Sequence, residues 1–205
     1  MSTPAVSERH QPIPIEFADE EESIKITGFW MFLMTDMIIF ASLFAVYAVY
    51  RNRTALGPTP QQLFHLGPTV LETLLLLTSS FTIGIAVWAM RHDRPRLVLG
   101  WLIATLVLGA GFVITEISDF VSYMSQGATW HVSGFLSGFY VLVGTHGAHV
   151  TFGIMWAITL LLQLRRRGLT PITRRKLFTF SLYWHFLDIV WVFIFTFVYL
   201  SGKIA

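Results

Sequence analysis

The chain has 205 residues, of which 54% are hydrophobic and 13% are charged, and its formal net charge is +2. Soluble domains carry about 25% charged residues, so this composition indicates a polytopic membrane protein. The small net charge gives no reason to expect nucleic acid as a partner, and the absence of cysteine excludes disulfides, thiolate metal sites and cysteine nucleophiles.

Residues 1–24 are predicted to form a polar tail in the cytoplasm. They contain three prolines and end near an acidic run at 19–22. No apolar stretch in this region precedes a small-residue cleavage site, so a removable signal peptide is not expected. The first apolar segment is instead expected to act as the insertion signal.

Five apolar segments follow the tail, and each is longer than the roughly 20 residues that a helix needs to cross a bilayer. They cover about 26–50, 69–90, 97–123, 133–164 and 177–200. The predicted fold is therefore all-α, with one transmembrane domain of five helices over residues 25–205. The links between segments contain glycine and proline turn signals and leave no room for a separate soluble domain.

The basic residues predict the orientation of this bundle. Lysines and arginines on alternate sides of the segments number eleven on the side of the N-terminus and three on the other side. Because cytoplasmic loops carry the excess of basic residues, we expect the N-terminus in the cytoplasm and the C-terminus in the periplasm. The arginines at this cytoplasmic side are also candidates for contacts with lipid headgroups, which are worth about 1 kcal/mol per residue. The candidates are Arg91, Arg165, Arg166 and Arg167.

Ionisable residues inside the segments are the candidate structural or proton-linked positions, since a charge at the bilayer centre costs about 2.5–3.5 kcal/mol on insertion scales. In the fifth segment, His185 and Asp188 lie three residues apart and so share a helix face. Trp184, Asp188 and Trp191 form one stripe along the same helix. This stripe predicts that the fifth helix faces its neighbours and not the lipid.

Counting about 1.5 Å per residue from the segment ends predicts two polar layers, separated by about 15 Å. The outer layer would hold Glu72 and Glu116. The central layer would hold Asp36, His146, His149, His185 and Asp188.

Two interpretations of the membrane histidines remain open at this point. Histidines on neighbouring helices can be the axial ligands of heme iron, or they can hydrogen-bond between helices. Heme needs a large cavity, whereas the fifth segment is rich in bulky aromatic residues, so structural hydrogen bonding is favoured. In that interpretation Asp188 pairs with His185 or with a histidine of the fourth segment.

The small residues and the hydroxyl-bearing residues also allow both a structural and a functional interpretation. Gly134 and Gly138 form a small-xxx-small pair that predicts close helix packing, although such space could also admit a lipid chain or cofactor. The second segment is rich in Thr and Ser over residues 73–82. Its hydroxyls are predicted to make interhelical hydrogen bonds, with a proton relay as the alternative.

Two motifs resemble the paired signature of heme-copper oxidase subunit III. They are GTHGAHV at 144–150 and YWHFLDIVW at 183–191. Residues 28–36, 57–59, 72–73, 116 and 166–170 match the family in the same order, so the resemblance covers about 25–202. Cytochrome c oxidase members usually have seven helices and carry a carbodiimide-reactive glutamate where this chain has Asp36. Five helices and an aspartate are similar to subunit III of the bacterial cytochrome o ubiquinol oxidases.

This resemblance implies a non-redox subunit of a proton-pumping quinol oxidase in the bacterial inner membrane. No catalytic, cofactor-binding or metal-binding residue is then expected in the chain itself. The family implies that subunit I carries heme b, heme o or a related heme, and copper, with ubiquinol as substrate. The implied partners are subunits I, II and IV and phospholipids, and the implied roles are stabilising subunit I and supporting proton uptake.

Three alternatives stay open. Within the family, the chain could be subunit III of a related cytochrome c oxidase or nitric oxide reductase. Outside it, His146 or His149 paired with His185 would make a membrane cytochrome b anchor, which a visible spectrum would reveal. A small proton or ion transporter using Asp36, Glu72 and Asp188 would show flux in liposomes, although the sequence lacks the internal repeat typical of transporters.

Overall fold

The computed structural model describes residues 20–54, 58–63 and 66–204, and these ranges contain helices and turns but no β-strand. The all-α prediction is therefore confirmed. The predicted tail, residues 1–24, lies mostly outside the described residues. The elements in chain order are α1 (Glu20–Tyr50), α2 (Pro60–Leu63), α3 (Leu66–Arg91), α4 (Pro95–Ser125), α5 (Gly134–Arg167), α6 (Pro171–Ile194), a π-helical segment (Phe195–Leu200) and α7 (Ser201–Ile204).

Five helices are long and apolar enough to cross a membrane, as predicted. They are α1, α3, α4, α5 and the continuous helix formed by α6, the π segment and α7, and they are between 26 and 34 residues long. The fifth begins at Pro171, six residues before the predicted start at 177. The Thr170 hydroxyl caps this helix by accepting a hydrogen bond from the Thr173 amide. Hydropathy finds the apolar part of a helix and misses the polar turns that extend beyond the hydrocarbon.

The fifth spanning helix packs against three of the other four spanning helices. α6 packs against α5, α3 and α1, whereas α3 packs mainly on α4 and α4 packs on α5. Trp184, Asp188 and Trp191 are all buried. The prediction that this stripe faces protein is therefore confirmed.

The ends of three helices are tied together on the side that carries most of the basic residues. Arg174, in the first turn of α6, donates to the Met90 carbonyl at 2.8 Å and to Asp93 Oδ1 at 2.7 Å. Lys176 Nζ donates to Gln163 Oε1 of α5 at 3.1 Å. These bonds place the α3–α4 and α5–α6 connections at the same end of the bundle, as alternating membrane crossings require.

Glycines allow aromatic side chains to approach the helix backbones. A Cβ added at Gly134 would lie 2.7 Å from Tyr50 Cδ1, and one at Gly138 would lie 3.5 Å from the Tyr47 Cα. The Gly134–Gly138 pair therefore packs α5 on α1, which confirms the packing interpretation. A second pair, Gly109 and Gly153, holds the Trp184 ring between α4 and α5, since added Cβ atoms would lie 2.8 and 2.9 Å from that ring.

Candidate functional site

Asp36 and His149 meet across the α1–α5 interface. The His149 Nδ1 lies 2.8 Å from the Thr145 carbonyl, one turn earlier on the same helix. Since a carbonyl can only accept, Nδ1 carries a proton and Nε2 points toward Asp36, with 3.8 Å between Nε2 and Oδ2. That distance is too long for a hydrogen bond but is within the range of an ion pair. Tyr183 of α6 donates to the His149 carbonyl at 2.9 Å, so three helices meet here.

His185 is joined to α3. Its Nδ1 lies 2.7 Å from the Ser80 hydroxyl. The hydroxyl-rich stretch of α3 also binds the two large rings of α6, because the Trp184 indole donates to Ser79 at 2.9 Å and the Trp191 indole donates to Thr73 at 3.1 Å. These are the interhelical hydrogen bonds predicted for that stretch.

The predicted pairing of Asp188 with a histidine is wrong in the described structure. His185 bonds Ser80 and His149 faces Asp36, while no ion pair joins Asp188 to either ring within residues 66–204. Asp188 is buried, and its Oδ1 has no hydrogen-bond partner. Sequence spacing places His185 and Asp188 on a common face, but the neighbouring helix decides which partner each side chain reaches.

The hydrogen bond predicted for His146 is also absent. The ring is fully buried and neither nitrogen has a hydrogen-bond partner. Three aromatic rings surround it. Trp191 stacks on it at a centroid distance of 5.3 Å, and Phe112 and Phe40 meet it edgewise at 5.8 and 6.3 Å. Aromatic residues from α1, α4 and α6 therefore form a box around a polar ring.

A heme does not fit these histidines. The three rings around His146 occupy the space that a porphyrin would need beside its nitrogens. The Nε2 of His149 is directed at a carboxylate and not at an open cavity. The histidine arrangement of a cytochrome b anchor is therefore not found among the described residues.

Glu72 and Glu116 come together between α3 and α4. Both are buried and lie within electrostatic range of each other. The Glu116 carboxylate rests against the backbone of Gly147, where an added Cβ would lie 2.5 Å from Oε2. Gly147 of the GTHGAHV motif thus provides the space that Glu116 occupies.

Sequence reasoning missed three neighbours of these glutamates. Asp119 and Tyr123 of α4 and Tyr199 of the π segment lie within electrostatic range of the glutamates. A signal was present, because Asp119 and Tyr123 follow Glu116 by three and seven residues and so lie on its helix face.

The prediction of two polar layers about 15 Å apart is wrong. Glu116 of the predicted outer layer contacts Gly147, which is the sequence neighbour of His146 in the predicted central layer. Thr73, next to Glu72, bonds Trp191, whose ring stacks on His146. Spanning helices of 26 to 34 residues extend beyond the hydrocarbon by different amounts, so their ends do not mark one level.

An apolar groove of about 460 Å³ runs between α1 and α6, and we call it the α1–α6 groove. It is lined from Trp30 to Phe44 on α1 and from Leu182 to Phe193 on α6. A second apolar space of about 440 Å³ shares Phe44 and Phe193 with it and reaches Arg51. A polar pocket of about 270 Å³ follows at Arg51.

Replacing His146 with leucine is expected to raise the free energy of unfolding by about 1 kcal/mol. An unsatisfied buried polar group costs about 1–3 kcal/mol, and an apolar side chain of similar size keeps the aromatic contacts. Chemical denaturation in mixed micelles measures the change. The control is His185→Leu, which removes the bond to Ser80 and should lower stability. Equal losses in the two variants would contradict the expectation.

A family model described as cytochrome c oxidase subunit III matches residues 20–203. A quinol oxidase subunit 3 of Bacillus subtilis (strain 168) is 53% identical over 189 residues, which is 92% of this chain and 93% of that protein. A cytochrome bo(3) ubiquinol oxidase subunit 3 of Pseudomonas putida is 48% identical over 177 residues, which is 86% of each chain. A cytochrome c oxidase subunit 3 of Bacillus sp. (strain PS3) is 42% identical over 202 residues, 98% of this chain and 94% of that protein.

Proposed function

This chain belongs to the cytochrome c oxidase subunit III family, and we infer from that premise that it is subunit III of a terminal quinol oxidase. One observation favours quinol over cytochrome c as the electron donor of the complex. The chain is 53% identical, over 92% of its length, to a quinol oxidase subunit 3 but 42% identical to a cytochrome c oxidase subunit 3. The chain is a multi-pass protein of the bacterial inner membrane and part of an oxidoreductase complex. The N-terminus is placed in the cytoplasm because eleven of the fourteen basic residues lie on its side.

The chain itself acts without a redox centre of its own in this proposal. Subunit I carries heme b, heme o or a related heme, and copper, and ubiquinol is the substrate of the complex. Subunit III packs on subunit I and stabilises it, and subunits II and IV complete the assembly. The support from this chain is that its membrane histidines are committed to Ser80, to Asp36 and to the aromatic box.

A bound phospholipid is the second part of the proposal. The α1–α6 groove is apolar along two helices and continues to a polar pocket at Arg51. An acyl chain fits the apolar part, and the guanidinium fits a phosphate. At the opposite end, Arg91 and the exposed Arg165, Arg166 and Arg167 lie in the last turns of α3 and α5 and suit anionic headgroups.

Asp36 supports proton uptake indirectly, by holding helices together. Its carboxylate faces His149, whose backbone carbonyl is bonded by Tyr183, so this point joins α1, α5 and α6. A conducting role would need a continuous chain of donors and acceptors from the cytoplasmic surface. The Asp36 Oδ2 faces His149 Nε2 at 3.8 Å without a hydrogen bond. A hydrogen-bonded proton path through this atom is therefore interrupted within the described residues, which supports the structural role.

The whole proposal is tested by isolating the complex through an affinity tag on this chain. We expect co-purification of a heme- and copper-bearing subunit and oxygen consumption with ubiquinol that exceeds consumption with reduced cytochrome c. Removing the chain should make the remaining enzyme inactivate faster during turnover. Purification of the chain alone, or activity with cytochrome c but not quinol, would overturn it.

Asp36→Asn separates the structural from the conducting role. The amide keeps the size of the side chain, so quinol oxidation and the proton-to-electron ratio in liposomes should stay near the native values. Asp36→Leu serves as the comparison, because it also removes the polar contact with His149 and should speed inactivation. A collapse of pumping in Asp36→Asn with normal assembly would show that Asp36 conducts protons.

A further inference from the structure

Two buried glutamates with unpartnered carboxylate oxygens lie within electrostatic range of each other in the bundle. Glu72 is 1% exposed; the Thr115 hydroxyl lies near its carboxylate, but neither carboxylate oxygen accepts a hydrogen bond of normal geometry. Glu116 is 4% exposed and its Oε1 is unpartnered. No ion pair joins either of them to a lysine, arginine or histidine within residues 20–54, 58–63 and 66–204. An isolated ionised carboxylate in such surroundings is strongly unfavourable, so the group either pairs with a cation or becomes neutral.

The groups that face this pair do not neutralise it. α3 contributes Glu72, α4 contributes Glu116, Asp119 and Tyr123, and the π segment contributes Tyr199. From α5, the glycine backbone at 147 faces Glu116 and Tyr140 lies near Tyr123. All these side chains are acidic or phenolic. Two carboxylates in electrostatic range cannot both stay ionised in such a place without a cation.

A buried tyrosine hydroxyl without a hydrogen-bond partner lies near the same glutamates. Tyr123 is 2% exposed, lies in electrostatic range of Glu72 and Asp119, and its hydroxyl has no hydrogen-bond partner. By contrast, the neighbouring Tyr140 hydroxyl donates to the Ala128 carbonyl at 2.8 Å. The Tyr123 hydroxyl is therefore a free donor close to free carboxylate acceptors. A proton or a water molecule could satisfy these groups, since the surrounding side chains do not.

We propose that Glu72 and Glu116 form a proton-binding site in which the two carboxyl groups hold one proton between them. The proton removes one of the two charges, and the neutral acid donates to the remaining carboxylate or to a water between them. The Tyr123 hydroxyl is the second donor to the charge that remains. Such a proton belongs to the pair and not to either residue. The site is a property of this chain and does not depend on which electron donor the oxidase uses.

Infrared difference spectroscopy of the purified complex tests this site without using turnover. A protonated carboxylic acid has its own C=O stretching band, which shifts in D₂O. Comparing native complex with Glu72→Gln, with Glu116→Gln and with the double variant isolates the bands of this pair. We expect one band from the pair in the native complex, one band in each single variant, and none in the double variant.

Every other pattern overturns the proposal. Two bands in the native complex would mean that each glutamate holds its own proton. No band would mean that both are ionised, beside a cation or a partner subunit. Gly147→Ala gives an independent reading, because its Cβ must displace the Glu116 carboxylate and should shift the band. Gly144→Ala, whose Cβ would meet only Phe120 at 3.8 Å, should leave the band unchanged. A band that is unaffected by Gly147→Ala would exclude Glu116 from the site.

Discussion

Trp184→Ala is expected to lower the free energy of unfolding by about 3 kcal/mol, the lower end of the range for removing a buried tryptophan. The ring lies against Gly109 of α4 and Gly153 of α5 and donates to Ser79 of α3, so one side chain connects four helices. The lower end applies because lipid is as apolar as the bundle interior, which leaves packing and the hydrogen bond as the terms that are lost. Chemical denaturation of the purified complex in mixed micelles gives the value.

Trp88→Ala is the matched control. Trp88 is 51% exposed on α3 and contacts His92 of the adjacent turn. Its loss leaves no cavity between helices, so the expected change is below about 1 kcal/mol. If both alanine variants lose the same stability, the Trp184 ring does not hold the four helices together.

Gly147→Ala is expected to lower the free energy of unfolding by about 1–3 kcal/mol, as overpacking usually does. The added Cβ would lie 2.5 Å from Oε2, 2.8 Å from Oε1 and 2.9 Å from Cδ of Glu116, so the whole carboxyl group must move. That group is buried beside Glu72. In a Glu116→Ala background the obstacle is gone, so the same substitution should cost less than about 0.5 kcal/mol.

The coupling free energy between Gly147→Ala and Glu116→Ala in this double-mutant cycle tests whether the two residues are in contact. Gly144→Ala is the control, since its Cβ would meet only Phe120 at 3.8 Å and should not couple to Glu116. An equal loss from Gly147→Ala in both backgrounds would place the obstacle elsewhere in the packing of α5.

Much of the architecture follows from local pattern. The five spans, the inward stripe of Trp184, Asp188 and Trp191, and the close approach at Gly134 and Gly138 were all predictable. Each depends on the composition of one helix or on a spacing within it. The ends were less accurate, since a helix continues into polar sequence wherever a cap such as Thr170 supports it.

The partners of the buried polar groups were not predictable in the same way. His146, His149 and His185 all lie within apolar spans, and nothing in their sequence neighbours indicates that one sits in an aromatic box, one faces Asp36 and one bonds Ser80. The offset of the helices along the membrane normal was not predictable from the sequence either. For that reason Glu116 was assigned to a layer distant from its actual neighbour, Gly147.

The sequence by itself determined that this protein is a five-helix membrane bundle and, through the motifs at 144–150 and 183–191, which family it resembles. These properties depend on hydrophobic length and residue order, which the chain carries locally. The tertiary structure alone decided which polar side chains meet. That outcome depends on the tilt, offset and rotation of whole helices, and these are set by the packing of side chains such as Trp184 against residues from other helices.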